Sequence, residues 1–185
     1  MQIIGGRYKG RKLQAPKGLL TRPTSARLRE TLFNIVQNYI EGSSFLDLYA
    51  GSGAMGLEAL SRGAKRATFV DQSKEAITCI KNNSKLLGVE RDVTVIPGDV
   101  FRSLNRLSPQ SFDVIYADAP YTEKETPSQA LIHFFDQTEI LKKNGMFFIE
   151  DTLDSHDIRE LNSLELISVR HAGPSYLHQY QKVRC

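Results

Sequence analysis

Cysteine is almost missing: two residues among 185, Cys79 and Cys185, lie far apart with no C-x-x-C pair and no histidine at ligand spacing. That excludes a disulfide framework and argues against a structural zinc site. Histidine is scarce too, and His133, His156, His171 and His178 are scattered, so no metal is expected. Long apolar runs are lacking; residues 145–149 fall far short of the roughly 20 residues of a membrane span. The opening residues 1–7 have no apolar signal-peptide core, which makes a cytoplasmic chain the expectation, with no membrane partner and a monomeric state. The last absence is acidic: residues 1–29 contain no Asp or Glu but eight basic side chains, Arg7, Lys9, Arg11, Lys12, Lys17, Arg22, Arg27 and Arg29. The remaining residues carry 16 basic and 21 acidic side chains, so all the excess positive charge sits at one end. A basic extension of this kind suits a polyanion, because each neutralised phosphate releases counterions; a merely solvated tail would read the same way.

What is present is the composition of an ordinary globular chain, 41% hydrophobic, long enough to bury one sizeable core. Residues 1–22, rich in glycine and proline, read as a basic arm or hairpin, and residues 23–185 as the main domain. After Pro23, Thr24 or Ser25 can cap a helix whose stripe is Leu28, Leu32, Ile35, Val36, Tyr39 and Ile40, with Arg27 and Arg29 exposed near its start. From residue 45 onward, apolar runs at 45–49, 67–71, 93–96, 112–117 and 146–150 read as strands. Amphipathic stretches near 54–62, 74–87, 99–106, 127–136 and 154–161 read as helices. Such alternation predicts an α/β fold, a mostly parallel sheet with helices on both faces. Residues 164–171 and 176–184 flank Gly173-Pro174 as an antiparallel hairpin that closes it.

In a sheet of this type ligands lie beyond the carboxyl ends of the strands. That rule gathers Asp47 and Gly51, Asp71, Asp99, and Asp118 with Tyr121 on one rim. Gly51, Gly53 and Gly56 form a G-x-G-x-x-G turn between a strand and a helix, where backbone can approach a ligand closely. Asp71, 20 residues after Gly51, is placed to accept hydrogen bonds from two ribose hydroxyls. The turn alone does not separate NAD from S-adenosylmethionine. Asp47 tilts the choice, since its charge would oppose a pyrophosphate and favour a ligand with an amine and a sulfonium, although it could equally cap the glycine turn.

The second pointer is Asp118-Ala119-Pro120-Tyr121, which resembles the amino-methyltransferase motif [D/N]-P-P-[Y/F] at the end of the fourth strand. An amine conjugated to a purine is a poor nucleophile because its lone pair is delocalised. Acceptors on the Asp118 side chain and the Ala119 carbonyl can hold both N–H bonds and stabilise the charge that develops as a methyl group arrives. Tyr121 would stack on a base turned out of its helix, or serve as a core aromatic. Ala119 stands where the motif has its first proline, which leaves the acceptor carbonyl in place and loosens its preorganisation.

With these residues in view, the chain resembles the bacterial RsmD-type methyltransferases that modify a guanine N2 in small-subunit ribosomal RNA. Residues 3–13, 21–34 and 47–64 carry the likeness, which extends over nearly the whole length. The resemblance implies a Rossmann-like class I methyltransferase fold with a seven-stranded sheet, and S-adenosyl-L-methionine as methyl donor. It implies Asp47, Ala50, Gly51, Ser52 and Gly53 around the methionine moiety, Asp71 and Gln72 at the ribose, and Asp99 with Val100 at the adenine. Asp99 also reads simply as a helix cap. The partner implied is ribosomal RNA, within a small-subunit particle, met by Arg7, Lys9, Arg11, Lys12, Arg22, Arg27 and Arg29. Three other readings stay open on the residues alone: methylation of another planar amine such as adenine N6, an NAD(P)-linked oxidoreductase, and a non-catalytic RNA-binding module.

Overall fold

The computed structural model describes residues 1–16, 25–120, 127–152 and 161–184. Within these residues five α-helices and seven strands follow in the order α1 (Ala26–Ile35), β1 (Ser44–Leu48), α2 (Ala54–Ser61), β2 (Arg66–Asp71), α3 (Lys74–Leu87), β3 (Val93–Pro97), α4 (Val100–Leu104), β4 (Phe112–Asp118), α5 (Pro127–Gln137), β5 (Leu141–Asp151), β6 (Leu164–Ala172) and β7 (Ser175–Lys182). The sheet order is β3-β2-β1-β4-β5-β7-β6. The first five strands run parallel, and β7 lies antiparallel to both β5 and β6. The α/β fold and the closing hairpin therefore stand as the alternation of apolar runs requires. The helix expected at 154–161 lies almost wholly outside the described residues.

Local chemistry accounts for the boundaries. Ser25 accepts from the Leu28 N–H at 3.1 Å and starts α1. Ser73 does the same for Ala76 in α3, which ends at Gly88, a left-handed residue with φ 72°. One boundary differs from the sequence pattern. The stripe through Tyr39 and Ile40 predicts a longer first helix, but α1 stops at Ile35 and the chain turns. Val36 and Ile40 remain buried while Tyr39 is 61% exposed. Hydrophobic periodicity continued past the helix because the following turn also packs on the core.

Buried side chains form two layers, one on each face of the sheet. On one face Phe45, Phe69, Tyr116 and Phe148 pack with α1, α2, α3 and the N-terminal arm. On the other, Leu46, Ile115 and Phe147 pack with α4 and α5. The arm is a small hairpin, with Gln2 bridged to Lys12, and the Ile3 N–H donating to the Arg11 carbonyl at 3.0 Å. Ile3 and Leu13 are buried in the first layer. What anchors it is Glu58, fully buried in α2. Its carboxylate accepts the N–H groups of Ile4 at 2.9 Å and Gly5 at 2.7 Å, receives Arg62 Nε at 2.9 Å, and lies 3.6 Å from Arg29. Close approach is possible only because Gly6, at φ 74°, has no Cβ to strike the Ser61 carbonyl.

Arg29 is the clearest departure from expectation. It is 2% exposed, not presented to solvent, and its guanidinium also donates to the Gln2 carbonyl at 3.0 Å. Its cationic head neutralises Glu58 inside the protein and is unavailable to RNA. Arg7, Lys9, Arg11, Lys12 and Arg27 are exposed, whereas Arg22 lies outside the described residues.

Candidate active site

β1 pairs with β2 on one side and β4 on the other, so the chain leaves it in one direction and returns in the opposite one. That reversal opens a crevice at the carboxyl ends of the strands. Register decides which side chains meet there. Asp47 is opposite both Phe69 and Tyr116, Tyr116 is opposite Phe148, and Asp118 is opposite Glu150. Alternation along each strand then puts Asp71, Asp47, Asp118 and Glu150 on the same face, toward α1 to α3. A cavity of about 550 Å³ lies over this rim, lined among others by Asp47, Tyr49, Ala50, Gly51, Ser52, Asp71, Gln72, Asp118, Ala119, Pro120 and Glu150.

The turn after β1 is built around unusual backbone. Tyr49, Gly51 and Gly53 have φ of 55°, 55° and 76°. For Tyr49 this is a sparsely populated region, held here because its ring lies against the second core layer. Asp71 fixes the turn from the neighbouring strand, one oxygen accepting from the Gly51 N–H and the other from the Ser73 N–H, both at 2.8 Å. Asn83, buried in α3, ties the same turn to the arm. It donates to the Ser52 carbonyl at 2.9 Å and the Gln14 carbonyl at 3.1 Å, and accepts from the Gln14 N–H at 2.8 Å. The arm thus reaches the cavity, where Met1, Ala15 and Pro16 form part of the wall.

Electrostatically the rim is a cluster of carboxyl groups, Asp47 buried and Asp71, Asp118 and Glu150 half-buried. Asp47 is 1% exposed and accepts from the Gly56 N–H at 2.9 Å, so it caps α2 and faces the cavity at once. Burial drives its pKa well above the usual carboxylate range, the Gly56 hydrogen bond opposes that shift, and Asp71 and Asp118 add to it. Asp118 is pushed up to about 7, first by burial and then by the charge of Glu150. Glu150 is held by the Tyr116 hydroxyl and the Ser175 hydroxyl, each donating at 2.7 Å to a different oxygen. A cationic ligand would relieve this accumulation, which makes the cavity a fit for a sulfonium and an amine and a poor one for a pyrophosphate.

Not every expected residue lines the cavity. Asp99 caps α4, accepting from the Arg102 N–H at 3.0 Å, and Val100 is buried in the second core layer; neither contributes to the wall. Gly53 supports the turn from behind, close to Ile80 and Phe69. Tyr121 lies outside the described residues. Sequence reasoning overlooked Glu58, Asn83, Tyr116, Glu150 and Ser175. Glu150 was within reach of the strand-end rule that selected Asp118, and Glu58 is the one charged residue in an otherwise small and apolar helix.

The family described as Conserved hypothetical protein 95 matches residues 1–181. Ribosomal RNA small subunit methyltransferase D of Haemophilus influenzae is 35% identical over 158 residues, covering 83% of this chain and 80% of that protein. The chain belongs to this family. Among solved structures, yhhF of Escherichia coli, provisionally named a methyltransferase, superposes with a TM-score of 0.85 at 29% identity, covering 99% of this chain and 98% of that one. An RNA methyltransferase from Salinibacter ruber in complex with S-adenosyl-L-homocysteine shares the fold, with a TM-score of 0.65 at 14% identity over 88% of this chain and 94% of that one. The fold is the class I methyltransferase fold.

Proposed function

We propose that this protein transfers a methyl group from S-adenosylmethionine to the exocyclic N2 of a guanine in small-subunit ribosomal RNA, acting as a single chain on RNA within a small-subunit particle in the cytoplasm. The observation that carries the reading is the convergence of Asp47, Asp71 and Asp118 on one cavity at the β1/β4 crevice. S-adenosylmethionine supplies an electrophilic methyl group. Asp47, Ala50, Gly51 and Ser52 surround its cationic methionine end, Gly53 supports the turn that carries them, and Asp71 with Gln72 receives the ribose hydroxyls. Asp99 and Val100 are assigned to the adenine end by resemblance alone.

On the acceptor side, Asp118 and the Ala119 carbonyl take the two N–H bonds of the amine, and Pro120 fixes the backbone that presents that carbonyl. Tyr121 is assigned the stacking role on the strength of the motif. Nitrogen gains a bond to the methyl carbon as the sulfur–carbon bond breaks, and one amine proton then leaves along the Asp118 hydrogen bond. Arg7, Lys9, Arg11, Lys12, Arg22 and Arg27 contact the RNA backbone, with residues 1–22 as the recognition arm. Arg29 is left out because it is buried against Glu58.

The test is transfer of label from S-adenosylmethionine to small-subunit particles taken from cells that lack the protein. Wild-type protein should label one guanine, mapped by mass spectrometry, and Asp118→Ala should lose at least 100-fold in rate, on the order expected for an acceptor that acts on developing charge. No incorporation by the wild type, or equal rates for the variant, would end the proposal.

A further inference from the structure

The cavity does not stop at Asp118. It continues along the rim to Glu150 and on to Pro174 and Ser175 at the β6–β7 turn, on the side away from the glycine turn. Asp71, Asp47, Asp118 and Glu150 stand on four successive strands, so the donor end and Glu150 are separated by roughly 14 Å, three strand spacings. Glu150 therefore belongs to the acceptor half. It is the register partner of Asp118, its side chain faces the same way, and it is oriented rather than free. The Tyr116 and Ser175 hydroxyls each occupy one of its oxygens at 2.7 Å, and each carboxylate oxygen has a second lone pair to offer.

We propose that Glu150 is a specificity-determining residue that accepts the N1–H of the target guanine while Asp118 and the Ala119 carbonyl hold its 2-amino group. The inference rests on the guanine reading above and extends it to the neighbouring ring atom. Guanine presents two donors side by side on this edge, N1–H and the 2-amino group, which two adjacent carboxylates match. Adenine presents its 6-amino donor next to an N1 lone pair, so a base gripped by Asp118 would point that lone pair at Glu150. The resulting repulsion, in a partly buried site, rejects adenine without any steric barrier.

The experiment uses small-subunit particles reconstituted with RNA in which the mapped guanine is kept or replaced by 2-aminopurine, which has the same amine but a lone pair at N1. Wild-type protein should methylate guanine faster than 2-aminopurine by roughly 10- to 100-fold, the range for one well-made base contact. Glu150→Gln keeps the shape and can turn its carbonyl oxygen toward an N1–H or its amide N–H toward an N1 lone pair, so its ratio should fall to about threefold or less with an unchanged melting temperature. A wild-type ratio near one overturns the inference, as does an undiminished ratio in a folded Glu150→Gln protein. Should that variant fold poorly, the wild-type ratio alone decides. Absence of transfer to guanine by the wild type is a separate result, which removes the parent reading and this one with it.

Discussion

Replacing Glu58 by glutamine tests whether the basic arm is a loose tail or part of the active-site wall. The wild-type carboxylate is fully buried and holds two backbone N–H groups of the arm and two guanidiniums, Arg62 and the 2%-exposed Arg29. Glutamine keeps one acceptor oxygen but turns an N–H2 group toward a donor, and it leaves the Arg29 charge uncompensated. Breaking a buried pair by removing one partner costs about 3–5 kcal/mol, and the retained acceptor argues for the lower end, about 3 kcal/mol. For a domain of this size each kcal/mol lowers the melting temperature by roughly 2–4 °C, so a fall of about 6–12 °C is expected. The loss should be concentrated in the arm. Trypsin should then cut after the exposed Arg7, Lys9, Arg11 and Lys12 under conditions where the wild type resists. Because Met1, Ala15 and Pro16 line the cavity, S-adenosylmethionine should also bind more weakly by calorimetry. A melting shift below about 2 °C would refute the claim that a buried charge staples the arm, the threshold being one kcal/mol or less. Destabilisation without faster tryptic cleavage would refute its localisation.

Other perturbations follow from the same structure. Asp118, raised to about 7, binds a proton in the folded chain where the unfolded chain has released it. Its contribution to stability is therefore present below the ordinary carboxylate range and is lost as pH rises from about 4 towards 7. Asp118→Asn should raise the melting temperature of the ligand-free protein at pH 7.5 and leave it nearly unchanged at pH 4; a shift of equal size at both would contradict this. Methyl transfer should run the opposite way, with kcat/KM climbing through an apparent pKa near 7 as Asp118 ionises, and a flat profile between pH 6 and 8 would contradict the assignment. Lys182 is 1% exposed and donates to the Phe135, Asp136 and Thr138 carbonyls at the end of α5. Lys182→Met should cost roughly 3 kcal/mol in urea unfolding by stranding those acceptors, and a cost under 1 kcal/mol would show that water replaces the ammonium. Lys9→Ala with Lys12→Ala should flatten the salt dependence of RNA binding by close to 0.7–0.9 log units for each phosphate left without its cation, and the melting temperature should not change; an unchanged slope would remove both from the RNA face.

The elements near the sheet centre were legible because their signals are local. β1, β2 and β4 are short apolar runs with an aspartate at or next to the last residue, and the glycines at 51, 53 and 56 announce a strand-to-helix turn wherever they occur. The same locality explains why α3 spans 74–87 as the sequence pattern predicts, bracketed by the Ser73 cap and by Gly88. Tyr39 misled because a periodic stripe records burial and not hydrogen bonding, and α1 ends five residues before Ile40 reaches the core.

Strand-end aspartates, the motif at 118–121 and the order of strands and helices were determined by the sequence alone, since each depends on residues within a few positions of one another. Tertiary structure alone decided that Arg29 is an internal counterion, that the arm belongs to the cavity wall, and that Glu150 stands beside Asp118. Glu58 meets Ile4 across 54 positions, and Tyr116 meets Glu150 across 34. Whether a charged side chain faces water or another charge is set by which distant segment packs against it, and no local pattern in a single chain encodes that choice.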